Sequence, residues 1–172
     1  VRSLGLEGRD DEALAALERA ATMPKTFAEA MSLVDEILEE EKSLTLTAQL
    51  IDQRVEQGEK LTDEQTKARQ SLNDLRVRGI DILRHALTLN DKEIDSDAIT
   101  QARASLAFLL FRAERFHEAA VVGEFIARRY PSSELALSSG LTALGSWQYA
   151  LRDADEARTP AVLDQLQRVA DY

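Results

Sequence analysis

The 172-residue sequence has no cysteine, three prolines and seven glycines, and aromatic residues make up 5% of it. Without cysteine there is no disulfide, no thiol nucleophile and no thiolate metal site. So few glycines and prolines leave too little turn chemistry for the many tight connections of a β-sandwich or barrel. No run approaches the roughly 20 apolar residues that cross a bilayer, and no signal-peptide pattern opens the chain. Cations are in short supply as well: 21 Lys and Arg face 31 Asp and Glu, for a formal charge of −10. Nucleic acids bind by releasing counterions to Lys and Arg, so this balance argues against a nucleic-acid partner. It also argues against anionic membrane surfaces.

What is present points to helices. Ala, Leu, Glu, Arg and Gln dominate, and these side chains lose little freedom in a helix; 44% hydrophobic residues suffice for a core. The fold class expected is all-α. Residues 8–24 carry a stripe of Ala13, Leu14, Leu17, Ala20 and Ala21 that stops near Pro24. Residues 25–60 hold no breaker before Gly58, and predict one long helix with a bend at the charged stretch 39–42. Thr62 and Gln65 have capping-box spacing. The helix they open, about 63–89, repeats Ala68, Leu72, Leu75, Gly79, Ile82 and Ala86 in alternating steps of three and four. That is the seam of a helix lying nearly antiparallel to a partner, so 25–89 reads as an extended helical hairpin.

Further helices are expected over 98–115, 116–130, about 134–151, and from Thr159-Pro160 to Tyr172. Asp95 or Ser96, the Ser132/Ser133 pair and Thr159 are their caps. The count expected is seven helices and no strand.

An internal repeat organises the second half. Residues 106–119, LAFLLFRAERFHEA, align under 144–157, LGSWQYALRDADEA, with Leu on Leu, Ala107 on Gly145 and Glu-Ala on Glu-Ala. Leu106, Ala107, Leu110, Phe116, Ala119 and Pro131, and then Leu144, Gly145, Tyr149, Asp153 and Ala157, resemble the tetratricopeptide repeat (TPR) family. The resemblance implies a TPR-like α-α superhelix of antiparallel pairs. Residues 1–24 would be a half repeat, 25–91 the extended hairpin, 96–131 one repeat, and 133–172 a second repeat or cap. The hairpin is too long for that pattern, and Pro160 falls where a second helix should already be running. Because the chain opens on Val and on a half unit, it reads as a fragment of a longer chain. The stretch 124–136 is also similar to TPR variants of bacterial envelope proteins that serve outer-membrane assembly.

No catalytic, cofactor-binding or metal site is expected. His85 and His117 lack the spacing of a metal-binding pair, and HEAAV has no second His four residues on. Acids at 10–11, 39–41 and 153–156 sit at helix ends or on solvated faces, so the chain is not expected to be an enzyme. An acid-based all-α enzyme is the reading they would otherwise serve. Trp147 and Phe125 fall at core spacing. The resemblance implies that first helices line a concave groove for a protein or peptide partner. Carried over residue by residue, its candidate binding residues are Gln101, Phe108, Arg112, Thr142, Ser146 and Tyr149. The alternative is self-association through 25–89, using Leu46, Leu50 and Val77.

Overall fold

A computed structural model describes residues 22–58, 60, 62–89 and 94–171. The helix expected over 8–21 lies outside the described residues. Those described form six helices and no strand: α1 (Phe27–Glu56), α2 (Asp63–Ala86), α3 (Ser96–Arg112), α4 (Phe116–Arg129), α5 (Leu135–Arg152) and α6 (Thr159–Ala170). The chain is all-α over these residues. Each helix packs on its sequence neighbour, and α3 also touches α5.

Most helix ends follow the local chemistry. The Thr26 hydroxyl accepts the Glu29 N–H at the start of α1. Thr62 and Gln65 form a reciprocal capping box on α2, and the Asp95 carboxylate faces the Asp97 N–H on α3. Ser133 accepts from Leu135 N at 3.2 Å. At α6 the geometry differs from expectation: Thr159 is the first helical residue, and the turn before it is closed by Asp155, which accepts the Arg158 N–H at 2.9 Å.

The long helix α1 runs 30 residues without interruption. The charged stretch 39–42 does not interrupt it: the packed row is Ala30, Val34, Ile37, Glu41, Leu44, Ala48 and Ile51, a seam that passes through Glu41. Following Met31 and Leu38 instead makes the row seem to fail there. The hairpin is antiparallel, since Glu41 pairs with Arg76 while the later Asp52 pairs with the earlier Arg69.

Two apolar cores result. The larger joins the hairpin base to α3 through Ala30, Val34, Ile37, Ile80, Leu83, Leu109 and Leu110. The second joins α4, α5 and α6 through Ala120, Ala143, Trp147, Ala150, Val162 and Val169. Close approach is set by Gly123 on α4, where a Cβ would stand 2.5 Å from the Ser139 carbonyl oxygen of α5. Gly145 does not have that role; a Cβ there would meet only Phe111, at 3.8 Å.

Candidate functional site

The hairpin and α3 enclose a cleft of about 520 Å³. Leu38 and Leu46 of α1 face Ala104 and Phe108 of α3, and Gln101, Gln49 and Lys42 rim it. Phe108 is 43% exposed and Leu46 60% exposed, so both present apolar surface. The α3 side is the predicted face: Gln101, Phe108 and Arg112 recur at helical spacing and line one wall together. A second cleft continues past Arg112 toward α5, bounded by Leu72, Arg76, Phe116 and Tyr149. Tyr149 closes it, stacked on Phe116 at 4.8 Å between ring centres, with Phe111 edge-on to both.

Between the clefts lies a buried ionic junction. Glu41, 3% exposed, accepts from Arg76 Nε at 2.9 Å and from Arg112 Nε at 3.0 Å, while Thr45 donates to the same oxygen. Arg112 also donates to Thr45 at 2.8 Å. Burial by itself would raise the Glu41 carboxyl. Hydrogen bonds from Arg76 and Arg112, the Arg112 charge and the Thr45 hydroxyl outweigh burial and hold it below its ordinary value. Arg112 is thus engaged within the fold, tying α3 to α1. Sequence reasoning missed Glu41 because it sits in a run of acids; its register with Val34 and Ile37 was the available signal.

The α5 residues are placed differently. Ser146 is fully buried and donates to the Thr142 carbonyl at 2.7 Å, while Thr142 donates to that of Ser138. Small side chains let α5 press inward, so of its predicted face only Tyr149 reaches a cleft wall. Trp147 belongs to the second core. His85 bonds the Pro24 carbonyl at 3.0 Å and holds the start of α1; His117 lies edge-on to Trp147.

The acids at 153–156 do not converge. Asp155 binds Arg158, whose side chain first and backbone second hold its carboxyl below the ordinary value. Asp153 and Glu156 are exposed. Among the described residues no group of three or more His, Asp or Glu is placed to hold a metal ion, and no helix is long and apolar enough to cross a membrane. The chain matches no family model, no curated protein and no solved structure.

Proposed function

We propose that this chain is a non-enzymatic, TPR-like interaction module that holds a peptide or helix of a partner protein in the cleft between α1 and α3. The observation that carries the proposal is Phe108, a large aromatic left exposed in a mainly apolar cleft, opposite Leu38 and Leu46. Monomeric proteins rarely leave such surface contiguous without a use, and buried aromatic anchors dominate interface energies. The helix order supports the superhelical reading. Contact of α3 with α5 is what stacking the first helices of successive pairs produces, and Gly123 against Ser139 and Ala143 is the small-residue contact between one pair and the next. Gln101 and Arg112 border the same cleft, and Tyr149 borders the second cleft beyond Arg112.

Affinity capture from the source cell extract tests this reading. A protein retained by the natural chain should be lost with Phe108→Ser or Leu46→Ser and kept with Val77→Ser, which alters an exposed site away from the cleft. Equal retention by all of them would contradict it.

Self-association through the hairpin is the second reading. It is favoured by one observation: Leu46 and Leu50, 60% and 63% exposed, lie one turn apart on α1. Light scattering decides it. A dimer that Leu50→Ser dissolves supports it, and a monomer at high concentration removes it.

A further inference from the structure

A second surface, which shares no residue with the α1–α3 cleft, lies where α4 meets α6. Val121 and Phe125, one turn apart on α4, are 60% and 44% exposed. They border a shallow depression of about 520 Å³ lined also by Glu124, Arg128, Arg129, Trp147 and Gln165. Cations surround it although the molecule is strongly acidic. Arg103 lies over the Phe125 ring at 5.1 Å and donates to the Tyr130 hydroxyl, and Arg129 lies over the Tyr130 ring at 5.5 Å. Neither meets a carboxylate among the described residues. Arg128 is engaged by Glu124 at 3.0 Å and by the Arg168 carbonyl. Trp147, only 6% exposed, has an indole N–H with no acceptor among the described residues. A buried donor without an acceptor costs about 1–3 kcal/mol.

We infer that this depression docks an acidic peptide segment of a partner protein, with apolar side chains over Val121, Phe125 and Trp147 and carboxylates toward Arg129 and Arg103. Charge complementarity selects the occupant. Each guanidinium lies over an aromatic ring and is unpaired with a carboxylate among the described residues, so both have N–H donors left for carboxylate oxygens. A polyanion such as RNA gains affinity by neutralising many phosphates, and two guanidiniums on a chain of charge −10 do not offer that. Aliphatic surface at Val121 fits Leu or Ile side chains better than nucleobases.

The chain has one Trp, and it lines this depression, so its fluorescence reports on the site. The probe is a short synthetic peptide with Leu and Phe at helical spacing and Glu at the intervening positions, compared with its Glu-to-Gln counterpart. The Glu peptide should shift Trp147 emission saturably, bind more weakly as salt rises, and bind at least about tenfold more tightly than the Gln peptide. Phe125→Ala and Arg129→Glu, both at exposed positions, should each weaken it about tenfold, while Phe108→Ser leaves it unchanged. Equal binding of the two peptides would overturn the inference, as would no emission change, or a single-stranded oligonucleotide displacing the peptide. A natural-chain dimer that Phe125→Ala converts to monomer would assign the surface to a second copy instead, which also overturns it.

Discussion

Glu41 is the residue on which three helices converge. Replacing it with Gln leaves Arg76 and Arg112 partly buried around a neutral amide, and breaking a buried pair from one side costs about 3–5 kcal/mol. Arg112 keeps some solvent contact, so we expect Glu41→Gln to lose about 2–3 kcal/mol in urea unfolding at pH 7. The pH dependence follows from the carboxyl being held below its ordinary value of 4.5. Its stabilisation is fully present above that value and is lost as pH falls through the lower folded-state value. The natural chain should therefore lose stability below about pH 4.5, and the Gln variant should lose less over the same window. Gly123 and Gly145 give an opposed pair. Gly123→Ala forces a methyl against the Ser139 carbonyl and should cost about 1–3 kcal/mol. Gly145→Ala meets only Phe111, at an ordinary contact distance of 3.8 Å, and inside a helix should gain about 0.5–1 kcal/mol. A thermal melt of each variant checks both signs.

At the scale of elements, the hairpin divides at Glu41. Below it, Ala30, Val34, Ile37, Ile80 and Leu83 are buried in the larger core. Beyond it, Ile51 and Leu72 are the buried apolar residues, and the Asp52–Arg69 pair near the tip is solvent-exposed, so it contributes little. Hydrogen exchange should show amides of 47–56 and 63–70 opening well below the global unfolding energy, while those of 30–37 and 79–83 exchange only with global unfolding. Equal protection along the hairpin would contradict this division. The helices themselves were legible because their signals are local: Pro24, Pro131 and Pro160 fall at boundaries, and the Thr62–Gln65 box needs four residues. The rotation of each helix was less legible. Ser146 reads as a groove residue, but a hydroxyl satisfied by its own helix behaves as a small packing group, and α5 turns it inward. Glu41 was lost for a related reason, since composition marks an acid as solvated while its partners lie 35 and 71 residues away.

For the whole molecule, the long helix of the hairpin and α3 line one cleft. Arg112 ties α3 to α1 at Glu41 and sets the depth of the cleft in which Phe108 is exposed. The expected α3 face followed from the repeat resemblance; its opposing wall, Leu38 and Leu46, did not, because it depends on how the hairpin leans. The most direct test places a photoreactive phenylalanine analogue at Phe108 and, separately, at Val77, and crosslinks each in the source cell. If the cleft is the working surface, position 108 yields a discrete adduct with another protein and position 77 yields none. An adduct of equal strength from position 77, or from position 108 only with a second copy of this chain, would contradict the account.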